Sequence, residues 1–164
     1  MSNITNVAKI NEEKVNINRV AIEHRATWMG LIYQEALDAG LDAETVCRKA
    51  IKKCGNIHGG NYRAMCANPE DVRDFAKAFL SELGKKTFEM EVQEPTADEV
   101  KIDFHYCALV NAWQKLGFDD ETCAKLCDIA MDGDRGIAEG MGLTLDLTDT
   151  LAKGCKTCKL CFHK

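Results

Sequence analysis

Nine cysteines are spread over the chain, and six of them follow residue 104: Cys107, Cys123, Cys127, Cys155, Cys158 and Cys161. A thiol can be a nucleophile, a metal ligand, half of a disulfide or core filler. Cys107 has the most suggestive neighbours. Val100 to Tyr106 alternates as a strand, with Lys101, Asp103 and His105 on one face and Cys107 continuing it. A helix-forming run follows at once, so Cys107 stands near a helix N-terminus, where exposed N–H groups favour a thiolate. His105 could then serve as base or proton donor to a nucleophilic Cys107. The plainer alternative is a buried thiol at a strand end.

Cys123 and Cys127 are four residues apart and share a helix face with Leu126 and Ala130. Asp128 lies about 100° round from Cys127. Either Cys127 and Asp128 reach a site at the end of a sheet, or the cysteines fill the core and Asp128 is solvated. Cys155, Cys158 and Cys161 repeat a C-x-x-C spacing that suits zinc or an iron–sulfur cluster. If Thr157 to His163 is a strand, however, Cys158, Leu160 and Phe162 face one way and Cys161 and His163 the other. The three thiols then cannot converge. Cys158 could instead bind a metal with distant partners such as Cys107 or Cys127.

The elements that carry these residues follow from periodicity and capping. Residues 1–15 form a polar arm, and residues 16–164 a single α+β domain. A helix is expected over Val15 to Ala39, with Ile17, Val20, Ala21, Trp28, Leu31 and Ile32 on one face. His24 and Glu35 interrupt that face: either His24 is a core histidine satisfied by a backbone carbonyl, or the two line a polar pocket against the sheet. A second helix runs from Asp42, its N-cap, to Cys54 and ends in a glycine-rich loop, Cys54 to Gly60, that holds His58. A third fits Asn68 to Leu83 and stops at Gly84. Phe88 to Val92 and Val100 to Tyr106 read as antiparallel strands around a turn at Pro95 to Asp98. Helices over Ala108 to Leu116 and Asp120 to Met131 precede a turn at Asp132 to Gly136. Strands at Leu143 to Thr148 and Thr157 to His163 close the chain. The fold class is α+β: N-terminal helices packed on a small, mainly antiparallel sheet with two inserted helices.

Bulk properties narrow the partners. The formal charge is −5 over 164 residues, without a basic cluster, which argues against nucleic acid and anionic membrane surfaces. No stretch is apolar enough to span a bilayer. The polar N-terminus lacks the apolar segment of a secretion signal. A cytoplasmic location with reduced thiols is expected, and a homo-oligomer is compatible with the composition.

Several segments together resemble a known family. Ile22-Glu23-His24-Arg25-Ala26-Thr27-Trp28 opens the long helix. His105-Tyr106-Cys107 precedes Ala112-Trp113-Gln114-Lys115-Leu116-Gly117, and Leu126-Cys127-Asp128-Ile129 follows. Leu147-Thr148 leads to Gly154 and Cys158-Lys159-Leu160-Cys161-Phe162. This order resembles the L-2-amino-thiazoline-4-carboxylic acid hydrolase family over nearly the whole chain past the arm. Here Asp128 directly follows Cys127, and Leu160 stands where an aromatic is common. The closing Gly-x-x-x-Cys is also similar to small-molecule-binding domains of the 4-vinyl-reductase type, whose cysteines can hold zinc.

The resemblance implies a small-molecule substrate and ring-opening hydrolysis of a cyclic isothiourea to a carbamoyl-cysteine. Two routes are compatible with it. In one, Cys107 attacks as thiolate, His105 shuttles protons, Asp128 pairs with the substrate amidine, and no cofactor is required. In the other, Cys107, Cys127 and Cys158 bind zinc, whose water attacks. His24, Trp28, Arg25 and Thr148 are candidate substrate contacts, with Arg25 or Arg135 for the carboxylate. A non-catalytic binding or sensor domain with cysteine-bound zinc is the alternative.

Overall fold

A computed structural model describes residues 2–164. The chain is mixed helix and antiparallel sheet, as expected. Four helices come first: α1 Glu13–Asp38, α2 Ala43–Met65, α3 Val72–Phe79 and α4 Glu82–Phe88. Strands β1 Met90–Val92 and β2 Glu99–Phe104 follow, then α5 Ala108–Lys115, α6 Asp120–Ala130 and α7 Asp132–Met141. Strand β3 Thr144–Leu147, a 3-10 turn over Leu151–Lys153 and β4 Cys158–His163 complete the chain. The sheet order is β1-β2-β4-β3, with every neighbouring pair antiparallel.

Local chemistry sets most boundaries. Asp42 caps α2 by accepting from the Thr45 N–H at 3.1 Å, and Asp119 caps α6 by accepting from Thr122 at 2.8 Å. Gly40 follows α1 at φ +72°, a left-handed geometry that costs glycine no Cβ clash. The helix expected over 68–83 is instead two. Asp71, not Asn68, caps α3, and Ser81 starts α4 by accepting from the Gly84 N–H at 3.0 Å. Gly84 therefore lies inside a helix rather than ending one.

Two further expectations fail for one reason. Residues 54–60 are not a loop but the middle of α2, and Asp132 to Gly136 is not a turn but the start of α7. The two helices cross so closely that their glycines meet backbone to backbone. A Cβ on Gly136 would sit 2.5 Å from the Lys52 carbonyl oxygen, and one on Gly140 2.8 Å from that of Asn56. Cβ atoms on Gly55 and Gly59 would run into the carbonyls of Gly133 and Ile137. Small residues four apart on both helices permit this approach. Packing repays the helix propensity that glycine lacks.

The apolar residues form two clusters. One joins α1, α5 and α6 through Ala26, Tyr33, Val110, Trp113, Leu126 and Ile129. The other covers the inner sheet face with Phe75, Ile102, Met141, Leu160 and Phe162. Cys107 and Met131 pack against both.

The long helix turns the other way from expectation. Its buried residues are Val15, Arg19, Ala26, Gly30 and Tyr33. The stripe of Ile17, Val20, Ala21, Trp28, Leu31 and Ile32 faces outward, and His24 and Glu35 are exposed with it. Two specific contacts fix this orientation. The buried Arg19 donates to the carbonyls of Thr87 (3.0 Å) and Ile10 (2.7 Å), pairs with Glu89 at 3.0 Å and lies over the Tyr106 ring. Gly30 admits Phe118 and Trp113 to within 3.0 and 3.1 Å of where a Cβ would stand. Among the described residues no helix is long and apolar enough to cross a membrane.

Candidate active site

Cys107 lies where β2 ends and α5 begins, as the N-cap residue of that helix. Its backbone is held by the segment that precedes α1. The Asn6 carboxamide accepts from the Cys107 N–H at 2.9 Å and donates to the Cys107 carbonyl at 2.8 Å. The arm that carries Asn6 is tied down on both sides. Ile4 is buried in the first cluster, and the N–H groups of Lys9 and Ile10 donate to the Glu89 carboxylate at 2.6 and 2.8 Å.

Burial pushes the Cys107 thiol up, and the N–H groups of Val110 and Leu109 at the start of α5 only partly oppose it. The depressed pKa expected from the helix terminus is therefore overturned: desolvation outweighs a short helix's dipole. Cys127 and Cys158 are buried beside it. Cys127 faces inward from α6, and burial, then the charges that Cys107 and Cys158 would carry, raise its pKa well above that of a free thiol. Cys158 lies on the inner face of β4, opposite Phe104 of β2. Its sulfur accepts from the Leu151 N–H at 3.2 Å, and burial pushes it up to about 12. Strand alternation holds as expected: Cys158, Leu160 and Phe162 are buried, while Cys161 contacts Glu99 on the open face.

The three dispersed sulfurs are thus within electrostatic reach of one another. Yet among the described residues no three His, Cys, Asp or Glu side chains are arranged to hold a metal ion. As arranged, the three thiols do not form a zinc site.

An acid missing from the expectations joins this cluster. Asp134 sits in the first turn of α7, and burial raises its carboxyl to about 6 against the pull of Arg25 and Arg135. Its charge is felt at Cys107, Cys158 and Tyr62. Cys107 and Asp134 both keep partial solvent access, yet burial dominates the ionisation of each. A signal was present in the sequence. Once 132–141 is a helix, Asp134 shares its face with the buried Ala138 and Met141, and a carboxylate on an apolar face calls for an explanation.

Arg25 extends from α1 near enough to act on both Asp134 and Cys107. The other five arginines each hold a carboxylate, at 3.0 Å for Arg19, 2.6 Å for Arg48, 2.7 Å for Arg63, 2.6 Å for Arg73 and 2.7 Å for Arg135. Arg25 is the one without such an ion pair among the described residues, and it is exposed.

The remaining candidates lie elsewhere. His105 faces Glu91 across β1 at 3.2 Å, on the solvent side. Asp128 is clamped by Arg48 (2.6 Å) and Arg135 (2.8 Å). Burial would raise it, but the two arginines prevail and hold it below the usual carboxylate range. Arg135 is spent on Asp128 and Asp132. Thr148 borders an open groove on the outer sheet face with Asp103, Lys159 and His163. His24 and Trp28 meet edge to face at 5.1 Å on the exposed stripe. The structure brings together Cys107, Cys127, Cys158 and Arg25, and does not bring His105, Asp128, Thr148, His24 or Trp28 to them.

No curated protein and no solved structure matches the chain. A family profile described as L-2-amino-thiazoline-4-carboxylic acid hydrolase matches residues 19–162, which include Arg25, Cys107, Cys127, Asp134 and Cys158. On that match over almost its full length, the chain belongs to the L-2-amino-thiazoline-4-carboxylic acid hydrolase family.

Proposed function

We propose that the protein hydrolyses 2-amino-thiazoline-4-carboxylate or a close cyclic isothiourea, at a site built around Cys107 and Asp134. The observation that carries the reading is the grouping of a thiol, an acid titrating near neutrality and a cation without an ion pair, inside a chain of this family. Arg25 anchors the substrate carboxylate. Asp134 takes the role first given to His105, because a base is most effective when its pKa lies near the working pH.

The chemistry balances in two steps. Asp134 accepts the Cys107 proton as sulfur bonds to the ring carbon between nitrogen and sulfur. The ring C–S bond breaks, and Asp134 returns the proton to the departing sulfur. Water then adds to the same carbon and the bond to Cys107 breaks. This leaves a carbamoyl-cysteine and restores the thiol. A thiol raised above its usual value is still far easier to deprotonate than water, which favours Cys107 over direct attack by water.

The test is incubation of the purified protein with L-2-amino-thiazoline-4-carboxylate, with thiol release and the mass of the product followed together. Carbamoyl-cysteine formation that Cys107→Ser abolishes supports the reading. Turnover retained by a folded Cys107→Ser protein removes the covalent step, and no turnover by the wild type removes this substrate.

A further inference from the structure

The outward stripe of α1 takes no part in the site around Cys107 and Asp134. Ile17, Val20, Trp28, Leu31 and Ile32 are 45–66 % exposed along one line of a 26-residue helix. Large apolar side chains aligned in this way on a soluble protein mark a contact surface. We infer that the stripe pairs with α1 of a second copy of this chain, antiparallel, with the two-fold axis between Trp28 and Leu31.

The polar interruptions of the stripe select this occupant and this register. His24 and Glu35 both project from its midline. They lie equally far from the point between Trp28 and Leu31, about 8 Å each way at 1.5 Å per residue. An antiparallel copy centred there places each His24 against Glu35 of the other copy, twice by symmetry. Trp28 and Leu31 then pack across the axis. A parallel copy would set Glu35 against Glu35, and like charges in a seam are unfavourable. The ion pairs of α1 on its other faces are made by Arg19 and Glu23, which leaves His24 and Glu35 for the partner. Val20 comes level with Ala39, the C-cap of the other helix, and Ile17 lies past that helix's end.

Size agrees with a modest dimer. A stripe on the order of 500 Å² per copy buries about 1,000 Å² in all, the threshold for a specific interface. The net charge of −5 disfavours an anionic membrane as occupant instead.

Sedimentation velocity from about 1 to 300 µM tests the pairing, a range that spans micromolar affinities. The wild type is expected to shift from monomer toward dimer with concentration. Trp28→Glu should remain monomeric with unchanged circular dichroism, since its side chain is exposed. Glu35→Lys should weaken the dimer at least tenfold, and adding His24→Glu should restore it. A wild type that stays monomeric throughout overturns the proposal. So does a dimer indifferent to Trp28→Glu, or a double variant as weak as Glu35→Lys alone.

Discussion

Asn6 holds both backbone polar groups of Cys107, through 2.9 and 2.8 Å hydrogen bonds that span 101 residues of sequence. The arm is thereby part of the mounting of the candidate nucleophile. Asn6→Ala leaves the half-buried N–H of Cys107 without a partner, while its carbonyl keeps the Asn111 N–H at 3.1 Å; one unpaired group costs about 1–3 kcal/mol. Denaturant unfolding should show that loss. Turnover should fall more than it does on removal of Ser2, which lies in the same arm and bonds Asp120 and the Ile4 N–H rather than Cys107.

Asp134→Asn should uncouple stability from activity. The folded carboxyl titrates at about 6, above its unfolded value near 3.8. The folded state therefore holds the proton more tightly. The stability this contributes is present below about pH 4 and lost as pH rises to about 6. Asparagine avoids the buried charge, so the variant should be more stable than the wild type at pH 7.5, by up to about 2 kcal/mol. Activity should fall by about 10²–10⁴, as for loss of a general base. The wild-type rate should rise with pH through about 6, and the variant should lose that limb. A variant that is both less stable and fully active refutes the assignment.

The thiol of Cys107 should react slowly. Burial keeps it protonated at neutral pH, so alkylation by iodoacetamide should lag behind that of the exposed Cys54. The lag should narrow as pH rises above about 8.5, the value for a free cysteine. Peptide mapping after timed alkylation reads both sites in one sample.

Arg25→Ala should raise KM for a carboxylate-bearing substrate about tenfold or more and leave kcat less affected. Removal of uniform binding has that signature. A substrate analogue without the carboxylate should not distinguish the two proteins. Equal effects on both substrates would place Arg25 outside carboxylate binding.

The crossing of α2 and α7 gives a sharp control. Gly136→Ala forces a Cβ to 2.5 Å from the Lys52 carbonyl oxygen and should destabilise by about 3 kcal/mol. Gly60, in the same helix as Gly55 and Gly59, has nothing within 4 Å of its would-be Cβ. Gly60→Ala should stabilise by up to about 1 kcal/mol, because only helix propensity changes. Thermal melts of both variants compare the two effects directly.

What could be read in advance divides by the range of the interaction. Period-2 alternation placed β2 and β4 and separated Cys158 from Cys161, because in a strand the side-chain direction follows from position alone. Asp42 and Asp119 announced their helices, because a cap acts within one turn. The glycines of 54–60 and 132–136 read as breakers, since their local propensity is poor. Their helices exist because each supplies the close-packing surface the other needs. Amphipathicity shows that the α1 stripe is an apolar face, not which partner covers it. Arg19, Gly30 and their contacts turned that face outward.

The candidate site follows the same division. The residue types, the placement of Cys107 before a helix and the family membership were legible in the chain itself. The company of Cys107 was not. His105 and Asp128 are near it in sequence or in pattern, but the strand and helix geometry directs them to Glu91 and to two arginines. Asn6, Arg25 and Asp134 reach it from the arm, α1 and α7. Only the packing of those elements determines which charges meet a thiol and whether water or protein surrounds it, and that environment sets the pKa of both Cys107 and Asp134.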